Sequence, residues 1–117
     1  MIAIESQSQN CLGLSFRDTK EIVSNKGFQL NEGTTDDNIY YLTASDSHQI
    51  AFYYFNSNNV CMLYIYCVYE STLLGIENSL FNLGYIKSGS IYYNDKYQTQ
   101  IIYDSDYKQY FIKTKFK

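Results

Sequence analysis

Proline and tryptophan are both absent from this 117-residue sequence, histidine occurs once, and Lys plus Arg number only nine. Without Pro, tight turns fall to Gly, Asn, Asp and Ser. The single histidine, His48, stands in a polar turn at 45–49 with no nucleophile or acid marked beside it, so no hydrolytic set is legible. The six glycines are isolated from one another, which excludes a Gly-rich phosphate loop. Twelve carboxylates leave a net charge of −3 and a pI near 4.9. Duplex nucleic acid, which asks for a basic face, is an unsuitable partner. Lys108, Lys113, Lys115 and Lys117 do cluster near the C-terminus, as the lysines of a solvated edge strand would.

Cysteines are few and odd in number: Cys11, Cys61 and Cys67. On one straight strand Cys61 and Cys67 would lie roughly 20 Å apart, too far to bond. None shows zinc-ligand spacing. Reduced thiols packed as small hydrophobes suit a cytoplasmic setting. Cys11, in a mostly polar stretch, is the more accessible of the three on this reading. Residues 1–10 lack the basic and apolar regions of a signal peptide, and no apolar run is long enough to span a bilayer. A soluble protein without membrane contact is expected. Asp36-Asp37 and Asp104-Ser105-Asp106 are loop carboxylates without the distal Glu of a calcium loop, and read as turn formers. No metal site, catalytic residue or cofactor is expected.

What the chain has in abundance is aromatic surface: 14 Tyr and 7 Phe. The organising stretch is 60–69, Val-Cys-Met-Leu-Tyr-Ile-Tyr-Cys-Val-Tyr, without charge, Gly or Pro. At period 2, Cys61, Leu63, Ile65, Cys67 and Tyr69 share one side; Val60, Met62, Tyr64, Tyr66 and Val68 share the other. Both sides are apolar or amphipathic, which predicts a strand in the middle of a sheet.

The rest is placed around it. A helix is expected over 15–26, capped by Ser15 with Asp18 in its first turn and closed by Gly27. A loop follows over 29–38, then strands at 39–43 and 49–55, then a hairpin turn at Asn56-Ser57-Asn58-Asn59. A second helix is expected over 70–83, opened by Glu70 or Ser71 and closed by Gly84. Strands at 85–93, interrupted at Ser88-Gly89-Ser90, at 97–103 and at 109–116 complete the chain.

The two halves echo one another. Ile-Tyr-Tyr recurs 52 residues on (91 minus 39) and Gln-Ile 51 residues on (100 minus 49). The expected fold is therefore α+β in one domain: a tail or added strand at 1–13, then helix-plus-three-strand (αβββ) units at 14–69 and 70–117. Together these would form one mainly antiparallel sheet with both helices on one face. In layout alone this resembles TATA-binding-protein-like and β-lactamase-inhibitor-protein-like domains; neither family's motifs are present, so no residue role follows from the resemblance.

With helices on one face, the other is expected to present phenol rings, drawn from Tyr40, Tyr53, Tyr64, Tyr66, Tyr92 and Tyr103. Tyr suits interfaces because it couples contact area to a hydroxyl. Glu32, Asp36 and Asp37 would add carboxylates against a basic partner. These features point to a non-enzymatic, acidic binding protein of inhibitor, immunity or adaptor type, of bacterial or phage origin, contacting a protein partner or a second copy of itself. The alternative expectation is a sensor or sequestering protein that stacks a nucleotide or sugar on Tyr.

Overall fold

The computed structural model describes residues 11–47, 49–69 and 72–117. His48, Glu70, Ser71 and most of the expected tail lie outside the described residues. The element order is α1 (Phe16–Ser24), β1 (Gln29–Thr34), β2 (Tyr40–Ser45), β3 (Gln49–Phe55), β4 (Cys61–Tyr69), α2 (Leu73–Asn82), β5 (Ile86–Ser88), β6 (Ile91–Tyr93), β7 (Tyr97–Asp104) and β8 (Gln109–Phe116). All eight strands join in one antiparallel sheet, ordered β1-β2-β3-β4-β8-β7-β6-β5. The fold is α+β, and β4 lies at the middle of the sheet.

The strand count corrects the sequence reading. Four strands, not three, follow each helix. Residues 29–34, read as loop, form edge strand β1, whose Gln-Leu-Asn-Glu-Gly-Thr carries one large apolar residue. An edge strand packed on one side needs little apolar patterning, so periodicity misses it. The segment 85–93, read as one interrupted strand, is a hairpin: β5 turns through Gly89-Ser90 into β6.

Local chemistry explains the helix ends. The Ser15 hydroxyl accepts a hydrogen bond from the Asp18 amide at 3.1 Å, satisfying an otherwise orphaned donor of α1. Thr72 caps α2 in the same way, accepting from the Gly75 amide at 3.3 Å. Gly27 and Gly84, just past the two helices, adopt left-handed φ values of 83° and 87° that a β-carbon would disfavour. After α2 the Tyr85 amide donates to the Leu80 carbonyl at 3.0 Å, turning the Tyr85 ring into the core.

The described end of the expected tail, residues 11–13, joins the core. Cys11 and Leu12 are buried, so Cys11 is not the accessible thiol that the polar sequence around it suggested. Gly13 donates to the Cys61 carbonyl and Leu14 accepts from the Cys61 amide, which ties this segment to the start of β4.

The last two strands of each half match at a single offset. β3 and β7 begin 48 residues apart (49 to 97), and β4 and β8 also begin 48 apart (61 to 109). β2 and β6, where the Ile-Tyr-Tyr echo of 52 falls, begin 51 apart (40 to 91), and β1 and β5 begin 57 apart (29 to 86). In the β4–β8 pairing, Ile65 lies opposite Lys113, its own counterpart at 48. An approximate two-fold therefore passes through that pair.

Candidate functional site

Backbone register assigns each side chain to a sheet face. Phe55, Tyr53 and Ala51 on β3, Tyr64, Tyr66 and Val68 on β4, Ile112 and Thr114 on β8, Thr99 on β7 and Tyr92 on β6 fall on one face and are buried. Tyr53, Tyr64 and Tyr66 are at most 1% exposed and Tyr92 is 3% exposed. These four were expected to stand on the free face; they fill the interior instead. Tyr103 is exposed, but it sits on the same face as the others, its ring 4.9 Å from that of Tyr110. When both phases of a strand are apolar, alternation cannot say which one is covered. The broad rings took the interior phase, where Tyr64 stacks on Tyr66 and packs at a tilt against Tyr53.

The opposite face carries Ile50, Phe52 and Tyr54 on β3, Leu63 and Ile65 on β4 and Phe111 on β8, all half-buried. Tyr41 on β2 leans across Gly33, where an added β-carbon would come within 2.6 Å of the Tyr41 hydroxyl. Phe52 stacks on Tyr54 at 6.5 Å, and Tyr41 lies 6.3 Å from Tyr54. This surface therefore mixes aliphatic side chains with Phe rings and two phenols, Tyr41 and Tyr54, rather than forming a tyrosine sheet.

Glu32 and Asp37, two of the three carboxylates singled out from sequence, meet in a groove of about 820 Å³ at one end of the first half. Asp36 is exposed and is not part of it. The walls are Phe16, Tyr40 and Phe55, with Ile39 and Met62, and the rim carries Asn38, Asn56 and Asn59. Two turns built alike hold this rim. In the β1–β2 turn the Thr35 hydroxyl accepts from the Ile39 amide, and Asn38 sits at φ 64°. In the β3–β4 turn the Asn56 side chain accepts from the amides of Asn58 and Val60, and Asn59 also sits at φ 64°. Asn is among the few residues that tolerate that conformation. The Asn59 carbonyl accepts from the Phe16 amide at 3.2 Å, and Phe16 packs on Phe55 at 5.0 Å, fixing the start of α1 over the groove. The pairing of β3 with β4 slips at Met62, which delivers that side chain to the wall. Sequence reasoning named the carboxylates but not the apolar walls, which come from three separate elements.

Two further clusters are structural. Glu77 on α2 accepts from the Tyr92 hydroxyl and from Lys87 at 3.1 Å, clasping α2 to the β5–β6 hairpin. The Tyr92 hydrogen bond and then the Lys87 ammonium hold the Glu77 carboxyl below its usual range. The thiols of Cys61 and Cys67 are each pushed up to about 12, and that of Cys11 to about 11, chiefly by burial. Such thiols are poor nucleophiles at neutral pH. Among the described residues no three His, Cys, Asp or Glu converge as a metal site. No helix among them is long and apolar enough to cross a membrane. Comparison of the chain with protein-family models, with curated proteins and with solved structures finds no match.

Proposed function

We propose that this is a non-enzymatic binding protein of inhibitor, immunity or adaptor type that docks a protein partner on the mixed aliphatic and aromatic face of its sheet, opposite the buried tyrosines. Phe16 of α1 rests on Phe55 and Phe81 of α2 rests on Tyr92. Register puts Phe55 and Tyr92 on the same side, which supports a reading with both helices behind the sheet and the other side left for a partner. The observation carrying this reading is β3, which alternates Ala51, Tyr53 and Phe55 inward with Ile50, Phe52 and Tyr54 outward. A sheet face meant only for water alternates to polar residues instead. Here the centre is apolar and the margin polar, with Lys113, Lys115, Gln98 and Gln100 beside it, as in a protein interface. The molecule measures 33 × 32 × 28 Å, so one face supplies the roughly 800 Å² per partner of a standard interface. Buried, protonated thiols suit the reducing cytoplasm.

The test is capture from native-host lysate with wild type and with a Phe52→Lys, Ile65→Glu double variant. Sedimentation velocity, run alongside, reads self-association through the same face. Loss of a captured chain or of a dimer in the variant, with an unchanged circular-dichroism spectrum, is the expected result. A variant that folds and keeps every interaction of the wild type removes the proposal.

A second reading, a sensor that stacks a nucleotide or sugar on tyrosine, is favoured by Tyr40 in the groove wall. A melting-temperature screen of nucleosides and sugars tests it, with stabilisation abolished by Tyr40→Ala as the expected sign.

A further inference from the structure

We propose that the groove between the β1–β2 and β3–β4 turns binds an organic cation with an apolar body: an alkyl or aryl group carrying an ammonium, amidinium or guanidinium head. The groove lies at the end of the strands, away from the centre of the open sheet face, so this inference stands apart from the docking proposal. Its walls are three aromatic rings, Phe16, Tyr40 and Phe55, and its charges are two carboxylates, Glu32 and Asp37. Among the described residues no Lys, Arg or His lines it, and the one cation that reaches its edge, Lys20, is paired with Glu32, so the lining favours a cation over a phosphate or carboxylate. Ring faces attract cations, and the attraction grows as water is excluded. An apolar body fits the rings while the head meets the carboxylates.

Glu32 already shows the preference. The Lys20 ammonium reaches over from α1 to its carboxylate at 2.8 Å, with both side chains about half exposed (47% and 53%). A solvent-screened pair of this kind is weak, so a ligand cation that also covers the rings can replace Lys20 at little cost. The volume of about 820 Å³ exceeds what one ammonium needs and accommodates a ligand of several rings or a basic side chain with its flanking backbone.

The experiment is an amide NMR titration of the full chain with three probes. Benzamidine supplies an aryl cation, benzyl alcohol nearly the same body without charge, and N-acetyl-arginine amide the peptide source of the same chemistry. Saturable shifts at Gly33, Asp37, Asn38 and Asn59 are expected with benzamidine and not with benzyl alcohol. If N-acetyl-arginine amide binds as well or better, the natural source is a peptide side chain; if only benzamidine binds, it is a free small molecule. Glu32→Gln with Asp37→Asn should weaken binding about tenfold, the order expected for a half-exposed charge pair over aromatic rings. Both positions are exposed, so an unchanged melt of the variant excludes misfolding as the cause. Equal shifts from benzyl alcohol, or none from either cation, overturn the proposal. So does saturable binding of a neutral disaccharide, cellobiose, in the absence of any cation response.

Discussion

The rings of Tyr53 on β3 and Tyr64 on β4 lie directly opposite in register, their centroids 5.5 Å apart and both side chains closed to solvent. The Tyr53 hydroxyl has no hydrogen-bond partner among the described residues, and burial pushes its pKa up. A desolvated hydroxyl without a partner destabilises, so Tyr53→Phe should stabilise the fold by about 1 kcal/mol while keeping the ring contact. For a domain of this size that is a rise in Tm of about 4 °C, read by calorimetry. A lower Tm would show that the hydroxyl is satisfied after all.

Thr99 and Thr114 share a buried hydroxyl–hydroxyl hydrogen bond of 2.8 Å across β7 and β8. Replacing Thr99 with Val strands the Thr114 hydroxyl and should cost about 1–3 kcal/mol. Replacing both with Val removes donor and acceptor together and should recover most of that loss. Urea denaturation of the four proteins of this cycle gives the coupling directly. Additive losses would mean the pair is not coupled.

Acid should loosen α2 from the β5–β6 hairpin. The Glu77 carboxyl, held low by Tyr92 and Lys87, contributes stability that is present above its unfolded pKa of about 4.5 and is lost as pH falls through the lower folded value. Tyr92→Phe should therefore melt earlier than wild type at pH 7, and the gap should close at strongly acid pH. Melting curves from pH 7 down to pH 2 check this. A gap that persists undiminished in acid would show that the Glu77 charge is not its source.

At the alkaline end the buried thiols set the trend. Their folded pKa values, about 11 to 12, lie above the ordinary value of 9.0. A raised pKa gives stability that is complete below the unfolded value and declines as pH rises towards the folded one, so urea midpoints should begin to fall near pH 9. At pH 8 a thiol reagent should leave Cys11, Cys61 and Cys67 unlabelled in the native protein and modify all three in 6 M guanidinium. Rapid native labelling at any of them would contradict their burial.

What could be read from sequence divides along physical lines. The Ser15 cap, the Gly27 and Gly84 stops, the Asn56–Asn59 turn and the mid-sheet place of residues 61–69 were legible because each depends on local chemistry. Strand β1 was not, since one Leu in six residues carries no period. The face of the central strand was not legible either. Both phases of that strand are apolar or amphipathic, so alternation alone does not choose between them. The carboxylates of the groove were picked out; Phe16, Tyr40 and Phe55 were not seen as their companions, because three elements converge only once the sheet is formed. The Ile-Tyr-Tyr echo falls on β2 and β6, which begin 51 residues apart, whereas β3 with β7 and β4 with β8 keep a step of 48.

Among the described strands, every pairing but one joins neighbours along the chain; the exception is β4 with β8, whose partners lie 40 to 52 residues apart, from Tyr69 with Gln109 to Leu63 with Lys115. While the polypeptide is still being synthesised, β4 must therefore wait, one flank zipped to β3 and the other unclaimed. That flank belongs to the greasiest ribbon in the molecule, and a second nascent copy offers it the same hydrogen-bonding template that β8 later will. Slow translation between α2 and β8 would lengthen this vulnerable interval, and aggregation during expression should respond to codon choice there.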